Sequence, residues 1–169
     1  MQANGKDETT DTGQLIACLP LPDLDATAEV AARLSAALGE GDVVALKGDL
    51  GAGKTAFARA LLEAMGVRED IPSPTFTLVQ TYQPPACAEV WHVDLYRIED
   101  PSEVLELGLE EAFADAISLI EWPEKLGEEL PADALELVFL ITDPETGARE
   151  LSIHGSEDWK ARLKEVYLA

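Results

Sequence analysis

The chain has 169 residues, 47% of them hydrophobic, the size and makeup of one globular domain with a substantial core. Its 33 acidic against 12 basic residues leave a net charge of −21, and such a surface repels nucleic acid and anionic membrane. That acidity serves either plain solubility or the docking of an acidic face on a basic partner.

The opening, MQANGKDETTDTG, is polar and lacks the apolar stretch of a signal peptide, so residues 1–13 are expected to form a disordered acidic tail. QLIACLPL (14–21) reads as a first strand. The helix after it is expected to be capped by Asp25, with Val30, Leu34 and Leu38 on its apolar face and Gly39 and Gly41 as its stop. DVVALKG (42–48) is a strand of the buried type, and Thr55 to Met65 a helix with Phe57, Leu61 and Met65 on one side. TFTLVQTY (75–82) and EVWHVDLY (89–96) are strand-like around a Pro84-Pro85 turn. DPSEVLELGLEEAFAD (100–115) carries helix signals, with Ser102 as cap and a break at Gly108. AISLIE (116–121) is a strand, ALELVFLI (134–141) and ARELSIH (148–154) a hairpin, and residues 156–169 a C-terminal helix with Trp159, Leu163 and Val166 on one side. Strands alternating with helices predict an α/β domain with a mostly parallel sheet, and the hairpin adds an antiparallel edge at the C-terminal end.

No apolar run approaches the roughly 20 residues that span a bilayer. Cys18 and Cys87 lie far apart with no metal-ligand spacing, which fits a reducing cytoplasm.

Gly48-x4-Gly53-Lys54-Thr55 matches the P-loop pattern in full, between an apolar strand and an amphipathic helix. Gly51 and Gly53 let successive N–H groups turn inward into an anion-binding nest, and the helix start adds its positive end. The expected nucleotide contacts on this loop are Asp49, Leu50, Gly51, Ala52, Gly53, Lys54, Thr55 and Ala56. Lys54 would reach the β- and γ-phosphates and the Thr55 hydroxyl would ligate Mg²⁺. The fold class that follows is P-loop NTPase-like, with three layers.

Two later strands each end in an acid. Alternation puts Val90, His92 and Asp94 on one face, and Ile117, Leu119 and Glu121 on one face. Ligands of open α/β sheets sit outside the carboxyl ends of the strands, so the P-loop, Asp94 and Glu121 should converge. Asp94 takes the Walker-B place as a metal-site carboxylate, and Glu121 positions water or serves as an outer metal ligand. His92 is either a hydrogen-bonded core histidine or part of the chemistry. SPTFT (73–77) lies where a γ-phosphate-sensing switch belongs, which makes Ser73, Thr75 and Thr77 candidate contacts.

Asn4 is the single asparagine, so a guanine-reading Asn-Lys-x-Asp loop is excluded and ATP is the expected nucleotide. The six arginines (Arg33, Arg59, Arg68, Arg97, Arg149, Arg162) are scattered, which leaves a small-metabolite P-loop kinase as a poorly equipped alternative and Arg97 as the one candidate for a cationic finger in cis.

GDLGAGKT, SPTFTLV, HVDLYRIEDPSEVLELGL and LIEWPE together resemble, in order and spacing over roughly residues 14–155, the TsaE (YjeE) family of bacterial tRNA threonylcarbamoyladenosine biosynthesis. The resemblance implies a single P-loop domain that binds ATP with Mg²⁺, hydrolyses it slowly and is monomeric when isolated. It further implies docking on a TsaB–TsaD heterodimer, in which TsaD modifies adenosine 37 of ANN-decoding tRNAs, so that tRNA is met only through partners. It carries Lys54 and Thr55 over as phosphate and Mg²⁺ contacts, Asp94 and Glu121 as metal-site and hydrolytic carboxylates, and Trp122 as a functional neighbour of Glu121. It also places PDLDAT (22–27), with Leu24 and Thr27, near the adenine.

Overall fold

The computed structural model describes residues 13–167; the tail expected over 1–13 falls, apart from Gly13, outside the described residues. Chain order is β1 (Gln14–Leu21), α1 (Leu24–Ser35), β2 (Val43–Gly48), α2 (Lys54–Ala64), β3 (Val79–Tyr82), β4 (Val90–Asp94), α3 (Pro101–Leu105), α4 (Leu109–Asp115), β5 (Ile117–Glu121), a 3-10 helix (Pro123–Glu129), β6 (Leu135–Asp143), β7 (Ala148–Gly155) and α5 (Glu157–Tyr167). The described strands form one seven-stranded sheet in the order β1-β7-β6-β2-β5-β4-β3. Its centre, β6-β2-β5-β4, is parallel. The C-terminal hairpin extends one edge antiparallel and β1 pairs antiparallel beyond it, while β3 closes the other edge antiparallel on β4.

The central strands are apolar on both faces because both faces are covered. Val44, Leu46, Ile117 and Leu119 pack into a cluster with Leu34 of α1, Phe57 and Leu61 of α2, and Trp159 and Leu163 of α5. Val43, Val93 and Ile120 point the other way, into a smaller cluster with Val104, Leu109 and Leu126. The result is three layers, helix–sheet–helix.

α5 shares the larger core through Trp159 and Leu163, both buried, while Val166 is only half-buried. The Trp159 indole donates to the Asp133 carbonyl (2.6 Å), and Tyr167 donates to the Val30 carbonyl of α1 (2.7 Å). Arg162 lies over the Trp159 ring (4.0 Å to centroid) and donates to Asp42 (2.9 Å), tying α5 to the loop before β2.

Several local expectations need correction. The cap of α1 is Asp23, not Asp25, because Asp23 holds the extended backbone (φ −154, ψ 178) from which its carboxylate can accept from the Ala26 N–H. Asp25 lies in the first turn instead. That helix ends at Ser35, before Gly39. Asp100 rather than Ser102 caps α3, accepting from the Ser102 N–H (2.9 Å). The strand expected over 75–82 is shortened to Val79–Tyr82, since Leu78 takes a left-handed backbone (φ 65) and closes a turn on the Pro74 carbonyl (2.8 Å). The break at Gly108 is present as a left-handed glycine (φ 71) between α3 and α4.

Candidate functional site

The loop from Gly48 to Gly53 turns through three positive-φ glycines, Gly48 (φ 145), Gly51 (φ 81) and Gly53 (φ 107), before α2 starts at Lys54. These angles are closed to most L side chains. At Gly48 a side chain is also excluded by space, since a Cβ would stand 2.7 Å from the Phe139 carbonyl oxygen. Lys54 is buried; its ammonium donates to the Gly48 carbonyl (2.6 Å) and stands 3.3 Å from the centroid of the Trp122 ring. Burial pushes that ammonium below the usual lysine range, against the pull of Glu121, Glu124, Asp94 and Asp49.

Register aligns the two acids. Asp94 of β4 is the partner of Glu121 of β5, and Glu121 of Leu46 in β2, so both carboxylates leave the strand ends beside the P-loop, on the face that α2 covers. Thr55 of α2 donates to Glu121 Oε1 (2.7 Å). His92 Nε2 meets Glu121 Oε2 (2.7 Å), and His92 is fully buried. The Nε2–H tautomer suits this contact, because Nδ1 has no partner and then counts as an acceptor rather than an unmet buried donor. Asp94 accepts from the Tyr96 N–H (2.9 Å) and from the Thr75 hydroxyl (3.3 Å), which is in turn 2.7 Å from the Ser73 hydroxyl.

Burial, reinforced by Glu121, pushes the Asp94 carboxyl above the usual range, while the Tyr96 N–H, Thr75 and His92 oppose the rise. The sign gives a test. A raised carboxyl pKa means that the ionised form costs stability above the folded pKa, and that this cost fades as pH falls through it. Asp94→Asn is therefore expected to melt higher than the wild-type protein at neutral pH in metal-free buffer. The two melting curves should converge on acidification, which paired thermal melts between pH 7 and pH 4 would read.

A cleft of about 330 Å³ is lined by Leu50, Gly51, Gly53, Lys54, Thr55, Ala56, Thr75, Asp94, Tyr96, Glu121, Trp122 and Arg149. A larger hollow of about 590 Å³ elsewhere contains Lys47, already paired with Glu136 (2.8 Å), and gathers no comparable set of reactive groups.

The structure thus brings most of the expected residues together, but not all. Asp49 is exposed off the cleft and Ala52 is buried behind it. Thr77 is exposed off the cleft, accepting from Gln80 (3.0 Å) just before the left-handed Leu78. Thr27 is buried in α1 with its hydroxyl on the Asp23 carbonyl (3.2 Å), whereas Leu24 lines a second cleft of about 540 Å³. Arg97 stacks on Phe76 (4.2 Å) and does not line the first cleft; the arginine that does is Arg149 of β7, which the sequence left among scattered residues. The sequence points to Trp122 but not to its backbone, which is left-handed (φ 58), one of two non-glycine residues with positive φ among those described. Its ring also meets Tyr96 (centroids 5.0 Å).

The donor set suits Mg²⁺. Among the described residues no group of three or more His, Cys, Asp or Glu is placed to hold a metal. Mg²⁺ in nucleotide sites, however, takes only one or two carboxylates and draws its other ligands from phosphates and water. Asp94 and Glu121 are buried side by side, and neither has a lysine or arginine ion pair among the described residues, so a cation would balance them.

A family model described as "Threonylcarbamoyl adenosine biosynthesis protein TsaE" matches residues 21–151. The chain belongs to the TsaE family. Relatives named "tRNA threonylcarbamoyladenosine biosynthesis protein TsaE" include that of Rickettsia bellii, 42% identical over 118 residues (69% of this chain and 81% of the relative). The Bacillus subtilis protein of that name is 42% identical over 109 residues (63% and 67%), and the Mycobacterium tuberculosis one 39% over 125 residues (69% and 74%). Among solved structures, Bacillus subtilis YdiB superposes with a TM-score of 0.76 at 26% identity, covering 91% of this chain and 95% of its own. The TsaE motifs of the P-loop, the 73–79 turn and the two acidic strand ends all fall within the matched span.

Proposed function

We propose that this TsaE-family chain is an ATP-binding, slowly hydrolysing subunit of the tRNA threonylcarbamoyladenosine machinery, acting on a TsaB–TsaD pair. The family ties the chain to threonylcarbamoyladenosine biosynthesis. The observation that carries the ATPase reading is the link from Thr55 at the start of the P-loop helix to Glu121, itself held by His92, with Asp94 on the adjoining strand end.

In this reading the loop amides and Lys54 bind the β- and γ-phosphates and stabilise the charge that develops on them. Thr55 and Asp94 would hold Mg²⁺, which neutralises phosphate charge when bound. Glu121 orients the attacking water and can take its proton, with His92 fixing the carboxylate's position. Thr75 and Ser73 lie beside Asp94, where their hydroxyls can report the terminal phosphate. Among the described residues no helix is long and apolar enough to cross a membrane. The net charge of −21 fits a protein that works in the cytoplasm as a free monomer and meets tRNA only through its partners.

Phosphate release from ATP, with and without Mg²⁺, tests this reading. Slow release without any acceptor, lost on chelation and stimulated by the TsaB–TsaD pair, is the expected result. Transfer that requires a small-molecule acceptor would replace it with a kinase, and tight ATP binding without release would leave a nucleotide-sensing adaptor.

A further inference from the structure

On the sheet face opposite α1 and α2, the layer built by α3, α4 and the 3-10 helix leaves an open cleft of about 270 Å³. Its floor is the outer side of the smaller core, where Val104, Leu109 and Leu126 are buried and Phe113 is partly buried. Leu105 forms one wall and is 66% exposed. The left-handed Gly108 (φ 71) separates the two helices, so Leu109 enters the core while Leu105, one turn earlier, stays at the surface. A lone exposed leucine is ordinary on a soluble protein. This one adjoins an apolar floor that is open to solvent among the described residues.

The rim sets the charge of an occupant. Glu110, Glu111 and Glu129 line the cleft, all three are exposed, and none forms an ion pair among the described residues. Residues 99–133 around them hold twelve acids against one base, Lys125, whose ammonium is engaged with the Ile98 carbonyl (2.9 Å). Such a rim repels anionic membrane and nucleic acid, and equally a second copy of a chain of net charge −21. It attracts lysine and arginine. The walls set the shape of the occupant. The cleft lies between helical segments and not along β1 or β3, the strands at the sheet edges, so an added strand would find no backbone to pair with. A groove of this kind takes the apolar face of a helix.

We propose that this cleft docks a basic amphipathic helix of a partner protein. Its aliphatic side chains sit against Leu105, Leu109 and Phe113, and its lysines or arginines face Glu110, Glu111 and Glu129. The cleft shares no lining residue with the phosphate-loop cleft, so the proposal does not depend on the ATP reading.

The test uses a fluorescently labelled Lys/Leu peptide with leucines at i, i+3, i+4 and i+7, titrated by anisotropy into the full chain at low and physiological salt. Saturable binding by wild type is expected. Leu105→Ser, at an exposed position where the melting temperature should not move, is expected to weaken binding about ten-fold or more, the share of one leucine taken from water. Glu111→Gln and Glu129→Gln should each weaken it about two- to five-fold at low salt and less at high salt. Glu63→Gln makes the same charge change at an exposed site of α2, on the other face, and should leave binding unchanged. A peptide held by net charge alone would bind Leu105→Ser as tightly as wild type and respond to Glu63→Gln as it does to Glu111→Gln. That result overturns the proposal, as does a wild-type protein that does not bind the peptide. Leu105-dependent self-association in sedimentation without peptide would also overturn it, by giving the cleft to a second copy.

Discussion

Lys54→Met is expected to lose ATP and to gain, or at least keep, thermal stability. The ammonium is buried and held below its usual pKa, so keeping it charged costs folding free energy in the nucleotide-free protein. Its contacts there, the Gly48 carbonyl and the Trp122 ring, are neutral, and it has no carboxylate within ion-pair distance among the described residues. Methionine keeps the unbranched stem that fills the space beneath Trp122 and removes only the charge. Phosphate then loses the one buried cation on the α2 side of the cleft. Truncating one side of a buried, hydrogen-bonded charge pair costs roughly 2–5 kcal/mol, so affinity should drop about 30-fold or more. Titration and thermal melts on the same protein read the two effects, which should run in opposite directions. A Lys54→Met protein that melts lower and still binds ATP would remove Lys54 from the phosphate site.

How far the sequence foresees this site follows the range of the interactions. The P-loop is local: eight consecutive residues specify the glycine turns and the helix start. Asp94 and Glu121 are nearly local, since strand alternation sets their face and parallel register then sets them side by side. Arg149 is different. It reaches Gly51 only through an antiparallel register, 98 residues away in sequence, and nothing in ARELSIH announces that. The left-handed backbones of Leu78 and Trp122 are invisible for another reason: tertiary packing imposes them against the preference of bulky residues. Each lies close to a key acid. Leu78 accepts the Asp94 N–H (2.9 Å), and Trp122 follows Glu121 directly, so strain is stored where the site is built. The capping error at α1 is subtler, because Asp23 and Asp25 are chemically identical and only the extended backbone of Asp23 separates them.

Glu121→Gln should separate binding from hydrolysis. The side chain is buried and accepts twice, from the Thr55 hydroxyl and from His92, each at 2.7 Å. Glutamine keeps the volume and can still accept from Thr55 through its carbonyl. Its amide must then face His92, whose ring adopts the other tautomer to receive it, at the cost of an unmet Nδ1–H that lowers stability without touching the phosphate loop. The fold and the phosphate loop are left in place, so ATP affinity should stay within a few-fold of wild type. What disappears is the negative charge that orients water and takes its proton, a contribution typically worth about 10²–10⁴ in rate. Phosphate release is therefore expected to fall about 100-fold or more while titration still shows binding. His92 acts only through Glu121, as a positioning residue, so His92→Gln should slow release by a smaller factor, roughly ten-fold, and its effect should largely vanish in the Glu121→Gln background. Unchanged turnover in Glu121→Gln would leave the carboxylate a structural role and the water to another group. Loss of ATP affinity as large as the loss of rate would place Glu121 in ground-state binding instead, because only a group that acts in the transition state lowers turnover while sparing affinity.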